Sequence, residues 1–302
     1  MISCRIFTPL FTLLCLMLCS SAMAEMPLVE FTPTVSGEQT FAQNIADTEK
    51  DIAVLSGMTR SQKAWALNLG AMGTVIAWGI ANWDYFSRAP ATQNEEWFGH
   101  NTPEGGADKL GHLWASYAMS HGFSAIYQRI GYSESESLLY GPLSALAVTG
   151  IMEVGDSFSA EHGFSYEDMA ANVVGAGIGW FLLRYPRWDE RIDLRWEYAP
   201  EFNNLEGDIT TDYEHSKYLL ALKAEGFDCI SNPYLQCLEL HLGYYTRGYD
   251  DYKEWGADRR RRYVYAGAGI NIGRLVRQIW KTSLFNYIQV PYTYAEVRTS
   301  LE

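Results

Sequence analysis

The sequence predicts an α+β protein: an N-terminal bundle of about four long helices, then a C-terminal antiparallel β meander or partial barrel. Three observations carry this. Residues 64–83, 110–128, 138–152 and 169–183 are long runs without Asp, Glu, Lys or Arg. Small residues recur at helical spacing within them: Gly73, Ala77 and Ala81 in the first, Gly175 and Gly179 in the last. After Tyr185-Pro186 the period changes, and apolar residues alternate with charged ones as they do in strands.

Taken in order, residues 1–24 have the form of a signal peptide, with Arg5, an apolar stretch and Ala22-Met23-Ala24 as a small-x-small cleavage site. Cys19 invites a lipoprotein reading, but Leu18 before it is bulky where lipid processing requires a small residue. Cleavage removes Cys4, Cys15 and Cys19 and leaves Cys229 and Cys237, which an oxidising compartment would allow to pair as a disulfide. Residues 25–37, with Pro27, Pro33 and Gly37, read as a tether, and residues 40–58 as a polar surface helix. The bundle is assigned to 38–186 and the antiparallel β region to 187–302.

The run 64–83 is long enough to cross a bilayer; the competing reading is a buried central helix, since Asn68 and Asn82 blunt its hydrophobicity. Residues 84–107, rich in Gly, Pro, Asn and aromatics, form either a lid over a site or a plain connector. His121, nine residues from His112, is off its helical face and reads as a core histidine. In the β region, strands are expected at 192–198, 217–225, 238–248, 263–272 and 285–297. The four arginines 259–262 either meet anionic lipid head groups or neutralise Asp250, Asp251 and Asp258 at a hairpin tip.

The chain is 48% hydrophobic, with 10 Trp, 20 Tyr and 13 Phe, an aromatic density that favours contact with lipid or another large surface. Its net charge of −13 argues against a nucleic-acid partner and leaves a membrane lipid or an envelope glycan as the expected one. The sequence does not set the oligomeric state.

The chemistry concentrates between residues 108 and 179. Asp108-Lys109-x-x-His112 opens the second apolar run, Glu153-x-x-Asp156 closes the third, and Ser165-x-x-Asp168-x-x-x-Asn172-x-x-Gly175-x-x-x-Gly179 opens the fourth. Ser165 is placed to cap a helix whose face carries Asp168, Asn172, Gly175 and Gly179. The Gly-x-x-x-Gly pair admits a second helix to backbone contact. If the helices alternate up and down, these clusters meet at one end of the bundle.

Three readings follow. In the first the residues only cap and bridge helices, with Ser165, Asn172, Gly175 and Gly179 holding the packing. In the second, His112, Glu153, Asp156 and Asp168 ligate a divalent metal, a mixed N/O set suited to Zn, Mn or Fe. In the third, His112 is a general base oriented by Asp108 or Glu153, while Lys109 holds an anionic head group or phosphate. A Gly-x-Ser-x-Gly elbow, a phosphate-binding loop, a His-Glu-x-x-His helix and a Cys-x-x-Cys pair are all missing from the sequence.

The segment Gly105-Gly106-Ala107-Asp108-Lys109-Leu110-Gly111-His112, with Glu153, Asp156, Gly163-Phe164-Ser165, Asp168 and Asn172, resembles an uncharacterised bacterial family of predicted periplasmic lipoproteins of the YfiM type. Gly243-Tyr244-Tyr245-x-Arg247-Gly248-Tyr249 resembles the tail of its longer members, so the likeness runs from about residue 97 to 271. More distantly, the helical core is similar to the VanZ-like membrane proteins. It departs from them in having Asp156 where they have Gln, and in its added strands. The expectation is an exported protein on the periplasmic side of a Gram-negative envelope. It would be membrane-associated and serve as a structural or binding component, or alternatively as a metal-dependent or histidine-based hydrolase or transferase acting on an envelope lipid or glycan.

Overall fold

A computed structural model describes residues 57–200, 208–249 and 258–302. The expected signal peptide, the tether, most of the polar helix 40–58, and Asp250 and Asp251 lie outside the described residues.

Four long helices come first among these residues: α1 (Arg60–Asn82), α2 (Ala107–Arg129), α3 (Glu134–Ser157) and α4 (Tyr166–Arg184). Two of them start at reciprocal capping boxes, Thr59 with Gln62 for α1 and Ser133 with Glu136 for α3. The α4 helix starts where its spacing predicts, with Ser165 Oγ accepting from the Asp168 amide at 3.1 Å. Helices α2, α3 and α4 pack on one another, while α1 lies mainly against α3. The bundle is therefore a three-helix core with one helix on its flank. Its core sets small polar contacts beside an apolar cluster of Phe123, Tyr127, Ala145 and Val148. Ser116 Oγ donates to Asn172 Oδ1 at 3.0 Å, Ser124 Oγ donates to the Ser137 carbonyl at 2.9 Å, and Tyr127 and Ser144 hydroxyls meet at 2.8 Å.

After a short helical turn, α5 (Pro186–Asp189), the chain enters the sheet: β3 (Ile192–Tyr198), β4 (Ser216–Lys223), β5 (Leu238–Arg247), β6 (Arg261–Ile270), β7 (Ile288–Gln289) and β8 (Tyr294–Ser300). The order is β7-β3-β4-β5-β6-β8. It curls strongly. Lys217 on β4 reaches Glu296 at 2.8 Å and the Tyr294 hydroxyl at 3.0 Å on β8, although two strands lie between.

The curled face is the charged one. Asp193, Arg195 and Glu197 are buried, whereas Ile192, Leu194 and Trp196 face α2 or lie half open. Arg195 binds Asp193, Glu239 and Gln289, and Lys223 binds Asp193, so the enclosed charges are mutually paired. The opposite face receives α2, with Trp114 and Trp196 rings 5.1 Å apart and Trp114 Nε1 donating to the Tyr287 carbonyl at 3.0 Å.

Five expectations need correction. The C-terminal sheet is mixed, because β7 runs parallel to β3. Strand pairing also occurs before Pro186: β1 (Thr92–Gln93) and β2 (Phe164–Ser165) form a parallel pair that ties the 84–106 segment to the start of α4. The expected strand 285–297 is broken, since Pro291 and Tyr292, at φ 63°, turn the chain between β7 and β8. Strand 263–272 stops at Ile270, where Asn271 caps a short helix, α6 (Ile272–Arg277). The Cys229–Cys237 bridge is not formed either: both thiols are free, and Cys237 Sγ donates to the Pro233 carbonyl at 3.3 Å.

Candidate functional site: a carboxylate cluster at one end of the helices

The up-and-down course of the helices brings the first turn of α2, the last turn of α3 and the first turn of α4 to one end. His112, Glu153 and Asp168 each place a donor atom there within 4.8 Å of the other two. His112 Nδ1 and Glu153 Oε1 lie 3.3 Å apart without hydrogen-bond alignment. The other oxygen of Glu153 accepts the Ser165 amide at 3.4 Å, so the residue that caps α4 also ties α3 to it.

Lys109 makes the second half. Its ammonium contacts Asp108 at 2.5 Å, Asp168 at 3.0 Å and the carboxylate of Glu95, and its side chain is 2% exposed. Asp168 is common to both halves. Lys109 is thus saturated by protein carboxylates. That overturns its expected role of holding an anionic head group, because a ligand would have to displace three acids from a closed position. His112 Nδ1 lies 3.3 Å from Glu153, whereas the Asp108 carboxylate turns to Lys109.

Two other expected residues stand apart from the triad. Asp156 lies beside the Tyr85 hydroxyl, and Asn172 is fully buried one turn deeper, accepting from Ser116. Gly175 and Gly179 lie at close contacts with α2. A Cβ on Gly175 would lie 2.1 Å from the Leu113 carbonyl oxygen, and one on Gly179 would lie 2.6 Å from Ser120 Cβ.

Glu95 is the residue that the spacing of the helices does not reveal. It sits on the 84–106 segment, which packs as a strap. Tyr85 closes against Gly79 and Gly155, the β1–β2 pair follows, and Glu95 then reaches Lys109. The only sequence signal is an acidic pair, Glu95-Glu96, inside an aromatic loop. Burial, and then the negative charge of Asp168, push the Glu95 carboxyl up to about 8 despite the opposing pull of Lys109.

The electrostatic balance is one-sided. Glu95, Asp108, Glu153, Asp156 and Asp168 face one fixed cation, Lys109, and one titratable ring, His112. Several of their polar atoms are buried without a hydrogen bond, namely Asp108 Oδ1, His112 Nδ1, Glu153 Oε1 and Asn172 Nδ2. Enclosed groups of this kind are normally satisfied by a proton, a water or a cation.

Residues 94–184 match the family described as Predicted periplasmic lipoprotein (DUF2279). The match covers less than a third of the chain, yet it takes in every residue of the cluster, from Glu95 to Asn172, and ends at the last residue of α4. Curated proteins and solved structures give no match. The exported, periplasmic and membrane-associated location read from the sequence agrees with the family's description, and supports an envelope protein of an uncharacterised family. Cys19, the residue on which a lipid anchor would depend, lies outside the described residues.

Proposed function

We propose that this chain is a membrane-associated envelope protein that binds a divalent cation through His112, Glu153 and Asp168. One observation carries the reading: three donor atoms of ligating type lie within 4.8 Å of one another, and two of them, His112 Nδ1 and Glu153 Oε1, are buried without a hydrogen bond. One imidazole and two carboxylates suit Zn, Mn or Fe. An ion held by three side chains keeps a coordination position for water or a substrate oxygen, which is what a hydrolase or transferase acting on an envelope lipid or glycan would need. The Lys109 half has a structural role in this reading, joining the strap, α2 and α4.

The test is metal content by mass spectrometry on protein purified without chelator, together with melting in the presence and absence of Zn or Mn. Wild type and Asp156→Asn should carry metal in near unit ratio, and His112→Ala and Glu153→Gln should lose it. A ligand that binds only the folded state raises its stability, so added metal should raise the melting point of the first pair alone. Wild-type protein free of metal and indifferent to both ions would refute the proposal.

A further inference from the structure

Beside its apolar clusters, each half of the fold encloses polar side chains and exposes large apolar ones. Where the helices meet, the buried residues include Ser116, Ser120, Ser124, Thr149 and Asn172. Pointing outward are Leu69 on α1, Leu143 on α3 and Val174 on α4, each more than half exposed. The sheet does the same. Asp193, Arg195 and Glu239 are enclosed, while Leu240 and Leu242 are 59% and 58% exposed on its outer face. In water, each large apolar side chain left outside forgoes the burial that drives folding. An apolar surrounding stabilises the enclosed polar contacts and the exposed apolar side chains at once, and small or hydroxylated residues are what close helix packing uses there.

Dimensions identify the surrounding. Charged residues stand only at the helix ends, and residues 64–83, 110–128, 137–152 and 169–183 carry none. Helices of 19 to 24 residues rise about 28–36 Å at 1.5 Å per residue, against a hydrocarbon core of about 30 Å. Among the described residues, α1 and α3 are both long and apolar enough to cross a membrane, and only 11% of the apolar window of α1 is buried in the protein. The two ends differ in charge: five acids gather at the cluster, whereas the opposite end mixes Arg60, Arg129 and Arg184 with Glu134 and Glu136, of which Glu136 pairs with Arg60.

We propose that the four helices are seated across a lipid bilayer, with the outer face of β5 against the same acyl chains and the carboxylate cluster at one interface. An open apolar cleft of about 590 Å³, lined by Leu222, Phe227, Ile230, Leu240, Ile270 and Tyr292, continues this surface along the sheet. The proposal goes beyond cation binding and does not depend on it.

A lipid anchor at the N-terminus would bring the whole chain to a membrane in any case, so the test must read individual positions. The full chain, with Cys229 and Cys237 replaced by Ser, is given one cysteine at a time: Leu69→Cys, Leu143→Cys, Val174→Cys, Leu240→Cys, and Ser135→Cys at an exposed helix end as control. Membranes opened by freeze–thaw are treated with a charged maleimide before and after detergent. The four apolar positions should react at least roughly tenfold more slowly than the control, because the thiolate that reacts does not form in lipid. They should then reach the control rate in detergent. Reaction at the control rate in intact membranes would overturn the proposal. So would protection that survives detergent in a chain migrating as a dimer, which would assign the same face to a second copy.

Discussion

A backbone-to-backbone approach of two helices gives a sharp test of how α4 is held. Gly175 faces the backbone of α2, and an added Cβ would lie 2.1 Å from the Leu113 carbonyl oxygen, 2.8 Å from its carbon and 2.9 Å from its Cα. Ordinary contacts begin at 3.4 Å, so the first distance falls short by about 1.3 Å. All three obstacles are backbone atoms, and no side chain can rotate away. The helices must separate, and overpacking of this kind costs about 1–3 kcal/mol. Gly177 on the same helix is the internal control. Nothing lies within 4 Å of its added Cβ, so Gly177→Ala gains only the helix propensity of alanine, up to about 1 kcal/mol. That propensity gain is common to both alanine variants and cancels between them, so they should differ by about 1–3 kcal/mol, or several degrees in apparent melting midpoint at this chain length. Thermal unfolding followed by circular dichroism in one detergent measures the difference. Gly175→Ala melting at or above Gly177→Ala would refute the close α2–α4 contact.

Two further outcomes follow from the Lys109 half. Lys109→Met strands the Glu95, Asp108 and Asp168 carboxylates, and breaking a buried charge cluster in this way costs about 3–5 kcal/mol. Because donor atoms of those three acids also lie within 4.8 Å of one another, added Mn or Mg should restore part of the lost melting point; a variant as stable as wild type without added ions would contradict the arrangement. The pH dependence tests Glu95. Its folded pKa of about 8 stands above the 4.5 of a free glutamate, so folding takes up a proton, and this contribution to stability is full at low pH and lost as pH rises through 8. In metal-free buffer Glu95→Gln should flatten the fall in melting point between pH 5 and 8 relative to wild type, and an unchanged slope would remove Glu95 from the cluster.

Periodicity reveals those parts of the molecule whose causes are local. The four helices were legible because their apolar runs are long, and the start of α4 because a serine cap is written within three residues. The convergence of His112, Glu153 and Asp168 follows from alternating helix direction alone. Glu95 was hidden because a strap obeys no period: its place depends on Tyr85 filling the gap between Gly79 and Gly155 and on two backbone-paired residues at Thr92–Gln93. The sense of the sheet was hidden for another reason. Alternation shows that Asp193, Arg195 and Glu197 share one face, but which face is enclosed depends on a curl that brings β8 over β4, and that curl is set by contacts between strands far apart in sequence.

Asp168 explains why the two halves of the cluster cannot be assigned independently. Its carboxylate is a neighbour of Lys109 and also a member of the His112–Glu153 group. The ammonium therefore holds in place an oxygen-bearing group that the other half needs, and it does so from a position closed to solvent. A cluster built only to join helices would be expected to match its charges within each half, as the interior of the sheet does with Arg195 and Lys223 against Asp193 and Glu239. Here neither half is matched: one ammonium, Lys109, faces three carboxylates, and the His112 half adds Glu153, with Asp108 Oδ1, His112 Nδ1 and Glu153 Oε1 left unbonded. The same fold thus contains a balanced polar core and an unbalanced one, and the unbalanced one lies at the helix ends, where an ion can be supplied from water.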